Sequence, residues 1–427
     1  ATREGAVQAR AALLPQINGT ATLQRSRSDG SSTRQQFDED TGQPVLFNVD
    51  SQSENTSRNL EVNLRQMVYD RSNFTRLQSQ DALSRASDFQ LESAGDSLVT
   101  RTSQAYFNVL VAIETLAAAE AQETALKKQF DFASKRLEVG LAPITDVHEA
   151  RAQYDSARAN TIVTRNALED AYQAVAEITG QPVRNLKGLP EDFQPALPSE
   201  QGGEDWVNAA IQNNPALMAK QFQVQSTEAN VETARAGHWP TLYFNGTYGD
   251  RKSDGSSTDN LDSSTTDFEN RSKSRSIGLF LRVPIFSGGA VSSKVRQALA
   301  QRDVAADELE QQKRALVRNT LNSYQTLVAG ISEVEARRLA LVSARSAYDA
   351  SQVGLEVGTR TVLDVLNNQQ TLFNAEREFA LARYNFLQNR LLLEQAAGTL
   401  DIADVQDVNR LLTVNAEAQL APGDTTP

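Results

Sequence analysis

The chain has 427 residues, with 42 Lys and Arg against 54 Asp and Glu, and therefore a net charge of −12. This acidic balance, without a basic cluster, excludes a typical nucleic-acid binder, which needs clustered Lys and Arg. Cysteine is absent and the only histidines are His148 and His238, which excludes disulfides, thiolate catalysis and cysteine-ligated metals. No stretch approaches the ~20 apolar residues of a membrane-spanning helix, whereas membrane-spanning strands leave a weaker, alternating signal.

The sequence repeats itself at a fixed spacing. Residues 137–140, Leu-Glu-Val-Gly, recur at 355–358, a shift of 218 residues. Three further pairs keep this offset: Tyr106 and Tyr324, Asp146 and Asp364, Gly180 and Gly398. An offset that holds over a long stretch without insertion indicates two copies of one structural unit.

The repeat predicts the organisation of the chain. We expect a first repeat at 1–180, a linker and equatorial segment at 181–205, a second repeat at 206–400, and a C-terminal equatorial segment with a disordered tail at 401–427. The tail is predicted to be disordered from Ala416 onward. The second repeat has a helical lead-in that the first lacks, predicted over Trp206 to Ala236. We therefore expect a truncated lead-in helix in the first repeat, with about 30 residues of it preceding residue 1.

Each repeat opens with two candidate strands. Apolar residues alternate with other residues from Ile277 to Ile285, and more weakly from Leu60 to Val68, a period of two that gives a strand one apolar face. Partner strands are predicted over Ile17 to Gln24 and Leu242 to Tyr248. Two long polar loops, rich in Ser, Asp, Asn, Thr and Gly, are predicted between the strands: Arg25 to Arg58 and Asp250 to Arg275.

Long helical tracts follow the strands. From about Ala290 to Glu356 there is no proline, and apolar residues such as Leu327 and Val334 recur every seven positions. A short turn with glycine follows in each repeat, at 140–143 and 358–360, and leads into a second helix. Two helices joined by so short a turn run antiparallel. The returning helices are predicted over Ile144 to Ile178 and Val362 to Ala397, ending at Gly180 and Gly398.

Four strands per chain would leave two exposed edges and one apolar face. Closure by three copies would give twelve strands, an even number within the range of outer-membrane barrels. A second reading of the residues is an adaptor or coiled-coil scaffold without a pore, which would also have paired long helices but not amphipathic strands. An enzyme is disfavoured because the sequence contains no phosphate-binding glycine loop, no HExxH and no G-x-S-x-G.

Several segments of the sequence resemble the TolC family of trimeric outer-membrane channels. These segments are Leu-Leu-Pro-Gln at 13–16, Ala-Tyr-Phe-Asn-Val-Leu at 105–110, Ile-Thr-Asp-Val at 144–147, Ala-Arg-Ala-Gln-Tyr-Asp at 150–155, Val-Gly-Thr-Arg-Thr at 357–361 and Ala-Arg-Tyr-Asn at 382–385. The resemblance covers the chain from Ala9 to about Asp401. It implies an α+β membrane protein in which three chains form a 12-stranded β-barrel, continued by a long antiparallel α-helical barrel with a small mixed equatorial domain.

The resemblance also implies a location and a function. The strands would cross the outer membrane of a Gram-negative bacterium, and the helices would lie in the periplasm. The protein would be a passive exit duct for tripartite multidrug efflux and type I secretion, without catalysis, cofactor or bound metal. Its implied partners are two further copies of the chain, a periplasmic adaptor or membrane fusion protein, an inner-membrane efflux pump or ABC secretion transporter, and outer-membrane lipid.

The resemblance places a gate and selectivity ring at the periplasmic end of the helices. In the family, two stacked rings of aspartates narrow the channel, and the matching positions here are Asp364 and Asn367. We therefore expect one charged ring instead of two, which weakens cation binding at the aperture. From the residues alone, a simpler role for Asp364 is to face a helix N-terminus, where carboxylates are favoured, and the same holds for Asp146.

The family closes its gate with polar links between the two helical hairpins. Here the corresponding link joins Arg360 and Asp146, next to Thr145. The family also uses a tyrosine hydroxyl at the position of Leu355, which cannot form a hydrogen bond. The resemblance therefore predicts a gate that is held closed less firmly than in the family.

The family contacts its adaptor through the tips of the hairpins. The matching residues are Val139, Gly140 and Leu141 in the first turn and Val357, Gly358 and Thr359 in the second. Both glycines have a simpler explanation as well, because glycine permits the backbone conformation of a tight turn.

Overall fold

The computed structural model describes residues 2–37, 42–141, 143–259 and 265–420. The helices are α1 (Thr2–Ala11), α2 (Arg71–Glu138), α3 (Ile144–Thr179), α4 (Gly203–Asn213), α5 (Pro215–Arg235), α6 (Ala290–Glu356), α7 (Val362–Ala397) and α8 (Ile402–Leu411). The strands are β1 (Gln16–Phe37), β2 (Pro44–Tyr69), β3 (Lys187–Gly188), β4 (Thr241–Asp259), β5 (Thr265–Arg282) and β6 (Val414–Asn415).

The chain forms two compact units, and each takes residues from both predicted repeats. The first unit comprises Ala1–Ser87 and Gln221–Asp307, and the second comprises Asp88–Lys220 and Glu308–Pro427. Helices α2, α5 and α6 contribute residues to both units. The division into two repeats with a linker and a C-terminal segment describes the sequence, and it stays a prediction.

The first unit contains a four-stranded antiparallel sheet in the order β1-β2-β4-β5. Its two inner strands come from different halves of the chain and pair along most of their length, from Ser51 with Asp259 to Tyr69 with Leu242. Within the described residues, the outer edges of β1 and β5 have no partner strand. The sheet is therefore open on both sides.

The register of the sheet gathers its apolar residues on one face. Directly opposed residues lie on the same face, and one row joins Ile17, Leu64, Gly246 and Ile277 across all four strands. The next row, on the other face, consists of Asn18, Asn63, Thr247 and Ser276. The apolar side chains are exposed, with Ile277 at 78% and Leu279 at 65%. The predicted alternation is confirmed, and it gives the sheet one apolar and one polar face.

The two polar stretches predicted as long loops are strands, so that prediction was wrong. β1 continues to Phe37 and β2 begins at Pro44, while residues 38–41 and 260–264 lie outside the described part. A backbone ladder does not require apolar side chains, and polar pairs across the strands support it. Arg25 donates to Glu54 at 3.1 Å and Gln52 donates to Asp29 at 2.8 Å. Strands with two polar faces lack the alternation by which they are recognised in a sequence.

The strand predicted up to Ile285 ends at Arg282, because Pro284 has no amide for the ladder. The predicted lead-in helix from Trp206 to Ala236 was also wrong, since it is broken at Asn214. Proline disfavours the helical conformation of the residue before it, and Asn214 is extended at φ −61 and ψ 118. Its side chain then caps α5 by accepting a hydrogen bond from the Leu217 amide at 3.1 Å.

The long helices agree closely with the predictions. α6 and α7 have the predicted bounds, and α3 extends one residue further, to Thr179. α3 and α7 end at Gly180 and Gly398, whose φ values are +72 and +68. Glycine adopts this left-handed conformation without the steric cost of a side chain. The predicted helix ends are confirmed.

A hydrophobic core between α2, α3, α6 and α7 holds the second unit together. Val109, Leu327 and Leu387 are completely buried in it, and Val334 is 2% exposed. The predicted seven-residue spacing therefore marks the buried face of α6. Burial of each such side chain contributes roughly 1.5–3 kcal/mol.

The linker and the C-terminal segment are packed on this core. β3 pairs with β6 in a two-stranded sheet, and Ala416 is only 4% exposed. Glu417 accepts hydrogen bonds from the Tyr172 hydroxyl at 2.5 Å and from the Asn185 amide at 2.9 Å. The prediction of disorder from Ala416 was wrong as far as residue 420, because these buried contacts fix the segment, and residues 421–427 lie outside the described part.

A buried ion pair ties α2 and α7 to the linker. Arg383 donates to Glu114 at 2.7 Å and to the Pro190 carbonyl at 3.1 Å. The Tyr384 hydroxyl donates to the same carboxylate at 2.7 Å and accepts from the Leu189 amide at 3.3 Å. These bonds satisfy both carboxylate oxygens of Glu114, whereas Arg383 Nε is buried without a partner among the described residues. Removing Glu114 or Arg383 would leave the other charge buried and uncompensated, which typically costs several kcal/mol.

Glu394 is a buried carboxylate with incomplete compensation. Its side chain is 5% exposed, and Arg390 donates to Oε1 at 3.2 Å. Within the described part of the chain, Oε2 has no hydrogen-bond partner. Burial, followed by the charge of Asp404 on α8, raises the pKa of Glu394 to about 7, against the opposing effect of Arg390.

We expect Glu394→Gln to stabilise the protein at pH 8 by about 1–3 kcal/mol and to have little effect at pH 5. The pKa of this group is higher in the folded than in the unfolded state. The wild type therefore loses stability as the pH rises from about 4.5 to about 7. Urea unfolding at both pH values measures the difference. The exposed Glu177→Gln on α3 is the control, and a destabilised Glu394→Gln at pH 8 would contradict the prediction.

Candidate functional site

The turns between the paired helices share one backbone arrangement. In the first turn, the Gly140 amide donates to the Leu137 carbonyl at 2.9 Å, and the Leu141 amide donates to the Arg136 carbonyl at 2.8 Å. The second turn, around Gly358, repeats both bonds 218 residues further on. The two glycines have φ values of +74 and +78, so each turn needs a residue without a side chain. Ala142, which the sequence also placed in the first turn, lies outside the described residues.

The tips of these turns expose apolar side chains. Val139, Leu141 and Val357 are each 68% exposed, and Ile144 just beyond the first turn is 59% exposed. Thr359, the third residue of the second tip, is also exposed. Branched apolar residues clustered at a tight turn are typical of a surface that contacts another protein.

The helices that follow the two turns begin differently. α7 begins with a capping box, in which the Thr361 hydroxyl accepts from the Asp364 amide at 3.2 Å. The Thr361 amide and hydroxyl both donate to Asp364 Oδ2, at 2.9 and 2.8 Å. Hydrogen bonds from the backbone and then the side chain of Thr361, with the nearby Arg360, lower the pKa of the Asp364 carboxyl from its ordinary value. Asp364 therefore caps its helix, as its simpler explanation predicts.

Asp146 occupies the equivalent position in α3 without such a cap. Pro143 stands where the other hairpin has threonine, and α3 has no side-chain cap. The Asp146 amide bonds to the Pro143 carbonyl at 3.2 Å, and its carboxylate has no hydrogen bond within the described residues. Thr145, next to it, is exposed. The Asp146 carboxylate is thus available for another partner.

Arg360 is exposed and follows the second turn directly. Its amide donates to the Gly354 carbonyl at 3.1 Å, and its side chain covers Gly354 so closely that a Cβ there would lie 2.6 Å from Arg360 Cγ. Within the described part of the chain, no hydrogen bond or ion pair joins Arg360 to Asp146. The predicted link between these two residues stays a prediction.

The equivalent of Gly354 in the first hairpin is Arg136. Its guanidinium donates to the Leu141 carbonyl at 3.2 Å and lies 5.6 Å from the centre of the Phe132 ring. An arginine therefore covers each turn. In the first hairpin this arginine precedes the turn in the sequence, and in the second it follows the turn. Neither Gly354 nor Arg136 was predicted as a residue of the turns, and their only signal in the sequence is that the second repeat has glycine where the first has arginine.

Asn367 and Leu355 differ in their surroundings. Asn367 is exposed one turn after Asp364, so the two share a helix face. Leu355 is partly buried and lines a groove of about 760 Å³ between α2, α6 and α7, together with Phe132 and Val365. A leucine adds apolar surface to this groove and provides no donor.

Two properties are lacking in the described part of the chain. Residues 2–37, 42–141, 143–259 and 265–420 contain no group of three or more His, Asp or Glu side chains placed to hold a metal ion. No helix in these ranges has both the length and the hydrophobicity of a membrane-spanning segment.

Comparison with known proteins identifies relatives along almost the whole sequence. A family model described as outer membrane efflux protein matches residues 1–181 and 206–399. The outer membrane protein TolC of Vibrio cholerae is 33% identical over 411 residues, which cover 96% of this chain and 88% of that protein. The alkaline protease secretion protein AprF of Pseudomonas aeruginosa is 28% identical over 401 residues, covering 93% and 79%.

A solved structure has the same fold. The crystal structure of a membrane protein from Pseudomonas aeruginosa superimposes with a TM-score of 0.73 at 20% identity, and covers 93% of this chain and 84% of that one.

We expect Thr361→Val to loosen the first turn of α7. The substitution removes the hydroxyl that caps the helix, which typically costs about 0.5–2 kcal/mol. Amide hydrogen exchange of residues 362–366, followed by mass spectrometry, should accelerate about 2- to 30-fold. Thr145→Val is the control, because Thr145 has no capping bond and its substitution should leave exchange at the start of α3 unchanged. Equal exchange in wild type and Thr361→Val would rule out a capping role.

Proposed function

Because the chain belongs to the outer membrane efflux protein family, we propose that three copies form a passive exit duct through the outer membrane. The duct serves tripartite multidrug efflux and type I protein secretion, and it catalyses no reaction. The relatives of the chain include proteins named outer membrane protein TolC and alkaline protease secretion protein AprF. The observation that carries the proposal is the open sheet with one apolar face.

The sheet supports closure between copies. Unpaired amides and carbonyls at a strand edge cannot be satisfied by lipid, so a sheet in a bilayer must close. Four strands are too few, since the smallest such barrels have eight, and three chains would supply twelve. Ile17 on β1 and Ile277 on β5 belong to one row of the apolar face. Pairing β5 of one copy with β1 of the next would therefore continue the apolar face without interruption.

The helical hairpins are proposed to extend the duct into the periplasm and to meet a periplasmic adaptor at their tips. The exposed Val139, Leu141 and Val357 support this role, with Gly140 and Gly358 setting the turn geometry and Thr359 completing the second tip. An inner-membrane efflux pump or ABC transporter would supply the energy through the adaptor. Outer-membrane lipid would surround the strands.

We place the gate at the start of α3 and α7. Threefold symmetry would turn Asp364 into a ring of three carboxylates that attracts cations. Asn367, on the same face, would form an uncharged ring beside it. The lowered pKa of Asp364 supports a charged ring, because its carboxyl is ionised at neutral pH.

The gate would be closed by Arg360 and Asp146, beside Thr145. The carboxylate of Asp146 is free of a helix cap, whereas that of Asp364 is engaged by Thr361, which makes Asp146 the better partner for the arginine. One exposed pair contributes only about 0–1 kcal/mol, but three symmetric pairs act together on one opening equilibrium. Leu355 adds no hydrogen bond, so the closed state rests on fewer polar links.

We expect Arg360→Ser to increase the conductance of single channels in planar bilayers, because it weakens the closed state. Asp146→Asn should have a similar effect, and the double variant should add little to either, as expected when both changes remove one interaction. Arg338→Ser is the control, since it removes an exposed pair with Glu335 elsewhere on α6. Unchanged conductance in Arg360→Ser would exclude the latch.

The duct itself is tested in a Gram-negative strain that lacks its own outer-membrane efflux channel. We expect the chain to restore drug efflux and protease secretion with a matching adaptor and transporter. The paired variant Val139→Asp and Val357→Asp should lose this activity but keep its conductance in bilayers, because it changes only the tips. Ile162→Asp, at an exposed position on α3, is the control. A scaffold without a pore would give neither efflux nor conductance.

A further inference from the structure

Basic residues follow the apolar face of the sheet at its hairpin end. The continuous run of apolar residues on this face ends at Leu23 on β1, Leu60 on β2, Tyr248 on β4 and Ile277 on β5. Beyond it on this face, the only large apolar residues of the described strands are Phe37 and Leu46, near the hairpin between β1 and β2. In the cross-strand register, this limit moves by two residues, which is one position on the same face, from each strand to the next. Such a regular slant is expected where tilted strands cross a flat membrane boundary. It therefore marks one level of the bilayer on all four strands.

The first two positions beyond this limit on each strand carry six basic side chains. They form what we call the basic belt: Arg25, Arg27, Arg58, Lys252, Lys273 and Arg275. The other two positions hold Asp250 and Thr56, so the belt is strongly positive in a chain whose net charge is −12. At the third position the sign reverses on three strands, with Asp29, Glu54 and Asp254. On β5 this position holds Arg271, which forms an ion pair with Asp250 at 2.8 Å. The excess of positive charge is thus concentrated at the first two positions.

The belt is only partly neutralised within the chain. Arg25 lies 3.1 Å from Glu54, and Lys252 lies 2.7 Å from Glu269. Arg58 and Lys273 are exposed, and neither forms an ion pair within the described residues. Arg58 and Lys252 are also directly opposed, an arrangement that destabilises a sheet when the charges are alike. The stability of the sheet therefore does not explain why two basic residues oppose each other here, whereas the binding of an anion that is not part of the chain does.

An aromatic residue indicates the depth at which the belt lies in the bilayer. Tyr248, the last residue of the apolar face on β4, is 42% exposed. The Arg275 guanidinium lies over its ring at 5.6 Å. Tyrosines of membrane barrels concentrate at the interface between hydrocarbon and headgroups. The belt, immediately beyond Tyr248, therefore lies at the depth of the lipid phosphates.

We propose that the basic belt binds the phosphate groups of anionic lipid headgroups in the outer leaflet. The inference rests on the proposed outer-membrane function, which orients the hairpin end of the sheet away from the periplasm. Arg58, Lys273 and Arg275 form no ion pair within the described residues, although Lys273 lies directly opposite Asp250. Arginine forms paired hydrogen bonds with phosphate oxygens. The bound lipids would hold the sheet at a fixed depth in the membrane.

The test uses the full chain in phosphatidylcholine vesicles that contain either a bisphosphorylated diglucosamine lipid or the same lipid without its phosphates. After mild detergent extraction, we expect the wild type to retain the phosphorylated lipid and not the dephosphorylated one. The triple variant Arg58→Gln, Lys273→Gln and Arg275→Gln should bind it about 100-fold more weakly, at roughly fivefold for each charge removed. Equal retention of both lipids would overturn the proposal.

A matched triple variant removes the same number of charges from the other face of the sheet. Arg65→Gln, Arg251→Gln and Arg282→Gln lie at opposite-face positions, and lipid retention should stay at the wild-type level. Retention lost equally in both triple variants would also contradict the proposal. Millimolar inorganic phosphate should not displace the lipid, and displacement would indicate a general anion site. Conductance of the same vesicles reports the proposed duct separately, so failure of lipid binding in a conducting protein refutes only the belt.

Discussion

The hydrogen-bonding requirement of backbone amides and carbonyls in lipid is the constraint on which this protein depends. In a bilayer, the apolar side chains of a sheet with one apolar face are in a favourable environment. The amides and carbonyls at its two unpaired edges, however, find no hydrogen-bond partners in lipid. The apolar row reaches both edge strands, so the same surface that favours lipid also requires a neighbour on each side. Assembly into a closed wall is then a consequence of the sheet, and the duct a consequence of the wall.

The second unit combines a rigid interior with lightly held turns. Its core is completely packed around Leu387, and the ion pair between Glu114 and Arg383 is closed by Tyr384. The turns at Gly140 and Gly358, by contrast, are held by a few backbone bonds and by one covering arginine each, with exposed side chains around them. Stability is thus concentrated away from the turns, and a small change in polar contacts there is sufficient to shift an opening equilibrium.

The long helices, their glycine ends and the alternating strands were predictable because each has a periodic signal or a residue with a unique backbone preference. The polar halves of the strands were not, since Arg25 to Phe37 has two hydrophilic faces and its pairing is decided by the neighbouring strand. The break at Asn214 was not predicted, because the helical pattern continues on both sides of a single proline. At the turns, the family resemblance identified Arg360 and Asp364, but the role of Gly354 depends on a side chain that approaches from beyond the turn.

The mass of the particle extracted from membranes in a mild detergent tests the central claim most directly. If the open edges of the sheet join between copies, native mass spectrometry will give a complex of three 46.7-kDa chains that resists dissociation while the sheet remains folded. A stable, folded particle containing a single chain would show that the edges are satisfied in another way, and it would contradict the account.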